Sequence, residues 1–168
     1  MLIAPACAHD AAAIEQLLDQ CFGPARRSRT AYRLRDGVNP IGPLSLVAHD
    51  GADLAGSIQL WPLNLLHGGV TALTLLGPLS VSPQHRCEGI GKALLTEALA
   101  RADERGVPPV VLIGDEAYYG SFGFEAGPTQ GWAVPGHVDG ARLLVRRGTG
   151  LPPCGRVAAV SEPVRIAA

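Results

Sequence analysis

The chain has no charge excess: 14 basic and 15 acidic side chains leave a formal net charge of −1. That balance supplies no long-range field to gather nucleic acid or an anionic membrane. No uninterrupted apolar run approaches the roughly 20 residues a bilayer crossing needs, and no basic segment followed by an apolar run and a cleavage site opens the sequence. The expectation is a cytoplasmic protein with neither nucleic acid nor membrane as partner. Cysteine is scarce and scattered: Cys7, Cys21, Cys87 and Cys154 form no Cys-x-x-Cys pair and have no histidine at ligand spacing. Zinc sites and disulfide frameworks are therefore disfavoured, and reduced thiols with no metal are expected. Lysine is rare beside abundant arginine, glycine, proline and alanine, a bias that implies no function. The strand-linked Gly-x-Gly-x-x-Gly and the ribose-binding acid after it are missing too, which argues against a dinucleotide-binding oxidoreductase.

The residues present suffice for one domain. With 168 residues, 47% of them apolar, the chain can bury a full hydrophobic core. After a short apolar start at Leu2 and Ile3, the residues Ile14, Leu17, Leu18 and Cys21 or Phe22 recur at helical spacing between Ala11 and Phe22, with Asp10 as N-cap. Gly23-Pro24 ends that helix. A second helix is expected from Ala25 to Asp36, carrying Tyr32 and Leu34 among Arg26, Arg27, Arg29, Arg33 and Arg35. The runs 43–49 and 54–61 flank the turn Asp50-Gly51 and read as a hairpin.

His67-Gly68-Gly69 opens another turn, after which Val70 to Val81 reads as a central strand. Gly77-Pro78 conflicts with that assignment, because proline cannot donate to a sheet ladder and glycine weakens one. The pair marks a bulge or a place where the strand parts from a neighbour. Ile90 to Arg105 has helical rhythm and stops at Gly106. Val110 to Ile113 is a short buried strand, parallel to the preceding one by the strand-helix-strand crossover. From Gly127 onward, glycine and proline become dense, with one strand at Ala141 to Arg146 and another near Arg156 to Val160.

The most informative stretch joins the central strand to the next helix: Leu79-Ser80-Val81, then Arg86-Cys87-Glu88-Gly89-Ile90-Gly91-Lys92. Backbone N–H groups in the first turn of a helix have no intrahelical acceptors, and Gly89 and Gly91 leave them uncovered, so an anion fits there. The spacing Arg86-x-x-Gly89-x-Gly91 resembles the pyrophosphate-binding signature of the GNAT superfamily of acyl-CoA N-acyltransferases. A second motif agrees with it in order and distance: Ala117-Tyr118-Tyr119-Gly120-Ser121-Phe122-Gly123-Phe124 resembles that family's aromatic-Tyr-x-x-x-Gly-Phe segment. With Gly77-Pro78-Leu79 and Gly114-Asp115, the chain is similar in particular to the YhbS-like branch of predicted N-acetyltransferases, over roughly its first three quarters.

That resemblance implies an α/β GNAT fold, a mixed central sheet splayed between two parallel strands and flanked by helices, spanning residues 1–168 as one domain. It implies acetyl-CoA as the acyl donor and direct transfer, within a ternary complex, to a primary amine of a small molecule, peptide or protein. The pyrophosphate would be held by the main chain from Arg86 through Lys92, aided by the helix dipole and the charges of Arg86 and Lys92. The N–H of Leu79 or Val81, past the Gly-Pro break, would meet the acetyl carbonyl.

Tyr119 stands where the family places the acid that protonates the departing thiolate, and Tyr118 would pack on the pantetheine. Asp115 or Glu116 are candidate bases for the amine, and His85 lies beside the loop. Arg29, Tyr32 and Arg33 fall where the superfamily builds its acceptor pocket and point to a substrate with negative charge. Cys87 departs from the family, where glycine is common: if the backbone there needs φ > 0, its side chain would crowd the phosphate. Near a helix N-terminus its thiol also opens an acyl-enzyme route, which direct transfer makes unnecessary. A protein that holds acyl-CoA without turning it over is the rival reading, and pairing through the C-terminal strands into a homodimer stays open.

Overall fold

In the computed structural model, residues 1–161 are described; the end of the expected Gly/Pro-rich C-terminal segment lies outside them. Among the described residues, nine strands and four α-helices occur in chain order: β1 Leu2–Pro5, α1 Ala11–Phe22, α2 Thr30–Arg33, β2 Leu46–Asp50, β3 Asp53–Leu66, β4 Val70–Val81, α3 Ile90–Glu104, β5 Val110–Ile113, α4 Glu116–Tyr119, β6 Phe124–Glu125, β7 Gly131–Ala133, β8 Leu143–Arg146 and β9 Cys154–Ala159. The sheet order is β1-β2-β3-β4-β5-β8-β6, with β9 beside both β3 and β7. The chain divides into two compact units: Met1–Arg27, Pro40–Leu60 and Leu76–Gly106 form the first, and Ser28–Asn39, Trp61–Leu75 and Val107 onward the second. The long strands β3 and β4 each contribute one part to each unit.

The first unit contains β1, β2, α1, α3, the opening of β3 and the end of β4. Strands β1 and β2 pair antiparallel, Leu2 opposite His49 through Pro5 opposite Leu46. The expected hairpin forms with Asp50 opposite Asp53, and a register shift falls between Ala48 and His49. Helix α1 has the bounds its periodicity predicts, burying Ile14, Leu17 and Leu18, and Ile14 and Leu18 cluster with Val47. Each such aliphatic side chain contributes about 1.5–3 kcal/mol when fully withdrawn from water. Helix α3 buries Ile90, Leu94, Leu95, Ala98, Leu99 and Ala102 along one stripe. It packs on β3 where Gly56 has no side chain: a β-carbon there would stand 3.0 Å from both Ile90 Cγ2 and Leu94 Cδ1.

Asp10 precedes α1 as expected, yet its carboxylate makes no cap bond to that helix. Instead Oδ2 accepts from the Cys7 N–H at 2.8 Å, closing a short 3₁₀ turn, and Oδ1 meets His49 Nε2 at 3.2 Å. The second helix is also corrected. Residues Pro24–Ser28 form a 3₁₀ turn, and only Thr30–Arg33 are α-helical. Within that turn Arg26 is 1% exposed and turns back to α1, where it bonds Glu15 at 2.6 Å and Asp19 at 2.8 Å, so tertiary ion pairs hold the segment in place of helical periodicity.

The second unit contains the end of β3, the start of β4, β5 to β9, α2 and α4. Its core comprises Leu34, Leu63, Leu65, Leu73, Leu75, Val111, Trp132, Leu143, Val145 and Val157. Strands β4 and β5 run parallel, with Thr74 opposite Val110 and Leu75 opposite Val111, the two positions just before Leu76 and the Gly77-Pro78 step. Strand β8 begins at Leu143, not Ala141, because Gly140–Arg142 close a 3₁₀ turn on the Asp139 side chain. Two strands escape the pattern. β6 has two residues and pairs with β8, and β7 has three and pairs in parallel with β9, so neither is long enough to show a period.

Candidate active site

The loop after β4 is shaped by main-chain conformation. Ser82 Oγ accepts from the Gln84 N–H at 3.4 Å and starts the 3₁₀ turn Pro83–His85. Arg86 is extended, and Cys87 then takes φ 70° and Gly89 φ 78°. Both lie in the left-handed region that glycine tolerates and cysteine rarely adopts. Gly89 is the N-cap of α3, and no side chain caps that helix. Its first turn closes with Ala93 N–H on the Gly89 carbonyl at 2.9 Å. The N–H groups of Gly89, Ile90, Gly91 and Lys92 thus have no acceptor in their own helix, and they concentrate the positive end of its dipole.

Side chains leave that helix end accessible. A β-carbon on Gly89 would meet nothing within 4 Å, and one on Gly91 would come 3.4 Å from Val81 Cγ2. Cys87, Glu88 and Lys92 are exposed, and Lys92 is the only lysine in the sequence. The acid of the loop is held: His85 Nδ1 lies 3.1 Å from Glu88 Oε2. The crowding expected at Cys87 has its precondition, a positive φ, but its side chain is exposed.

Along β4, the Ser82 N–H donates to the Ala55 carbonyl of β3 at 2.8 Å. Since strand groups alternate sides, Ser80 and Ser82 direct their N–H toward β3, and Leu79 and Val81 direct theirs to the opposite edge. The Ser80 hydroxyl is buried and lies 2.9 Å from that of Ser57, and its N–H faces β3, so this candidate presents neither group to the Leu79 and Val81 edge. The Val81 carbonyl accepts from Cys21 Sγ at 3.3 Å.

The tyrosine segment, in the second unit, is built by packing. Helix α4 is one turn long, with the Tyr118 and Tyr119 N–H groups both donating to the Asp115 carbonyl at 3.0 Å. The Tyr119 ring lies against Gly114, where a β-carbon would overlap it, standing 2.8 Å from Cδ2. It meets Tyr118 edge-on at 4.8 Å between centroids and Phe124 at 6.0 Å. Burial, then the neighbouring Tyr118 and Asp115, raises the Tyr119 phenol above its usual range, so it keeps its proton at neutral pH. Tyr118 is 47% exposed. The candidate bases have local partners: Asp115 Oδ1 lies 3.3 Å from Arg142 Nε, and Glu116 Oε1 accepts from the Ala126 N–H at 3.3 Å.

Of the candidate acceptor residues in and beside α2, Arg29 and Arg33 are exposed and Tyr32 is half-buried. Sequence reasoning missed Arg35. It is 8% exposed, with its guanidinium 3.7 Å above the Tyr32 ring and 4.9 Å from the Trp61 ring. No local signal separates it from the other arginines of its cluster, because Trp61 is supplied by a distant strand.

A parallel strand pair that precedes a Gly-Pro step, followed by a helix start with uncovered amides, defines an α/β protein that can take an anion on its main chain. The chain belongs to the GNAT acetyltransferase family: residues 3–127 match the acetyltransferase (GNAT) domain. It is 32% identical over 127 residues to the uncharacterized N-acetyltransferase YhbS of Escherichia coli K12, covering 74% of each chain. The crystal structure of E. coli YhbS in complex with CoA superposes with a TM-score of 0.76 at 26% identity, over 94% of this chain and 88% of that one. A GNAT acetyltransferase from Brucella melitensis, solved with acetyl-CoA, gives 0.70 at 30% identity, over 95% and 96%. Among the described residues no helix is long and apolar enough to cross a membrane.

Proposed function

We propose that this acetyltransferase takes its acetyl group from acetyl-CoA and passes it, in a ternary complex, to the primary amine of a small molecule, peptide or protein. One observation carries the reading: the first-turn amides of α3 are uncapped by any side chain and unobstructed at Gly89. Four converging N–H groups at a helix start suit the diphosphate of coenzyme A. The CoA and acetyl-CoA found with the E. coli and Brucella relatives support it. Arg86, Cys87, Glu88, Gly89, Ile90, Gly91 and Lys92 supply the holding main chain, with Arg86 and Lys92 adding charge.

When bound, acetyl-CoA supplies an acyl carbon activated by its thioester. The Leu79 and Val81 N–H groups, on the strand edge away from β3, are the donors assigned to the acetyl oxygen. Tyr119 is assigned the proton for the departing thiolate: its phenol is protonated at neutral pH and its ring is fixed against Gly114. Tyr118, half exposed, is assigned to the pantetheine. Asp115 or Glu116 accepts the amine proton, directly or through water. Arg29, Tyr32 and Arg33 are assigned to an acceptor with negative charge. The 168 residues act as one catalytic domain, and free thiols at Cys7, Cys21, Cys87 and Cys154 suit the cytoplasm.

Calorimetric titration with acetyl-CoA and NADH, followed by thiol-release assays over an amine panel, tests this. Saturable acetyl-CoA binding with no NADH binding, and thiol release with at least one amine, is expected. Tight binding without turnover across the panel replaces the enzyme with an acyl-CoA sensor, and no acetyl-CoA binding removes the reading.

A further inference from the structure

We propose that Cys21 is a positioning residue for the coenzyme loop, acting through the carbonyl of Val81. This role rests on the proposed binding of acetyl-CoA by that loop. Cys21 lies in the last turn of α1 and donates its thiol proton to the Val81 carbonyl at 3.3 Å. The peptide linking Val81 to Ser82 is consequently held at both ends, since its N–H donates to the Ala55 carbonyl of β3 at 2.8 Å. Directly after it, Ser82 Oγ starts the 3₁₀ turn that leads to Arg86. Helix α1 and strand β3 thus grip one peptide plane from opposite sides, at the last point where β4 is still strand.

Beyond that plane, among the described residues, the loop is held by bonds within itself, the His85 N–H on the Ser82 carbonyl at 2.9 Å among them. Gln84 N–H bonds Ser82 Oγ, His85 bonds Glu88, and the left-handed Cys87 and Gly89 come next. The Val81-Ser82 peptide thus fixes where the loop leaves β4, while Ile90 and Leu94 seat its far end on β3 at Gly56, and a rotation of that plane swings the start of the loop with it. The Cys21 thiol suits this task, because burial pushes it above the ordinary thiol range and keeps it a donor at neutral pH. A thiolate there would repel the carbonyl it now binds.

The test uses the full chain carrying Cys21→Ala and Cys21→Ser. With saturating amine, Cys21→Ala raises KM for acetyl-CoA about three- to tenfold, the scale of one hydrogen bond, with kcat changed less than about twofold. Cys21→Ser keeps a donor and returns KM to within about twofold of the parent. Amide hydrogen exchange of the ligand-free protein provides an arm independent of acetyl-CoA: Cys21→Ala speeds exchange across 82–91 about tenfold and Cys21→Ser restores it. Unchanged exchange, or equal damage by both substitutions, overturns the positioning role. If the parent does not bind acetyl-CoA, the functional reading fails while the exchange result still decides the role of Cys21.

Discussion

The two glycine-marked turns of this chain, Arg86–Gly91 after β4 and Gly114–Phe124 after β5, are built on opposite principles. In the first, the groups proposed to hold the coenzyme are main-chain amides, the side chains of Cys87 and Glu88 are exposed, and the shape comes from two left-handed residues. In the second, one left-handed residue, Gly123 at φ 84°, closes the turn, and the shape is fixed by a ring seated against Gly114 beside Tyr118 and Phe124. A turn that holds an anion needs glycine so that side chains stay out of the way. The proton delivery proposed for Tyr119 needs one side chain fixed in one place, and in that turn glycine makes room for the ring.

Replacing Gly89 with aspartate tests the first principle most severely. The left-handed backbone tolerates aspartate better than most residues, and nothing lies within 4 Å of the new β-carbon, so the fold survives by circular dichroism. Its carboxylate occupies the open amides and repels phosphate, and acetyl-CoA affinity falls on the order of a hundredfold or more by calorimetry. Unchanged affinity would show that the anion binds elsewhere. Tyr119→Phe tests the second turn: kcat falls roughly tenfold to a thousandfold with little change in acetyl-CoA affinity. The raised phenol pKa adds a sign, since a required protonated group sets a falling limb at alkaline pH, above about 10. Normal turnover removes Tyr119 from the chemistry.

Gly114→Ala sharpens the contrast. The new methyl group displaces the Tyr119 ring, costing about 1–3 kcal/mol of stability, with kcat falling while acetyl-CoA affinity holds. A loss of affinity equal to the loss of kcat would show that the two turns do not divide the work in this way.

The smallest effect belongs to Asp10, a carboxylate outside both turns. The Cys7 N–H, opposed by partial burial and aided by His49, lowers its pKa. A depressed folded pKa gives stability that is fully present above the ordinary value of about 3.9 and is lost as pH falls through the folded one. Asp10→Asn therefore costs about 1 kcal/mol at neutral pH in denaturant titration, flattens the acid limb, and leaves both kinetic constants unchanged. A kinetic effect at neutral pH would tie this corner to the site.

Much of the framework was legible because it is periodic or punctuated. Helix α1, β4 and β5 fall where spacing and turn residues put them, since 3.6-residue and two-residue repeats report which face meets the core. The hairpin forms at its expected turn, although Gly42–Leu44 are a 3₁₀ turn and β3 runs on to Leu66. The stretch after Gly23 was not legible. Arg26 and Arg35 look like members of a solvated basic run, yet one is buried by two acids of α1 and the other lies over Tyr32 and is close to Trp61. The three-residue β7 has no readable pattern, and its partner β9 lies more than twenty residues further along the chain.

By itself, the sequence determined α1, the hairpin turn, β4, α3 and β5, the loop with its glycines at the start of α3, and the tyrosine segment, because each depends on neighbours within a few residues. Tertiary structure alone decided which arginines are buried and that Cys21 meets Val81. Those contacts join residues brought together by packing, and a burial energy shared among distant partners leaves no local pattern to read.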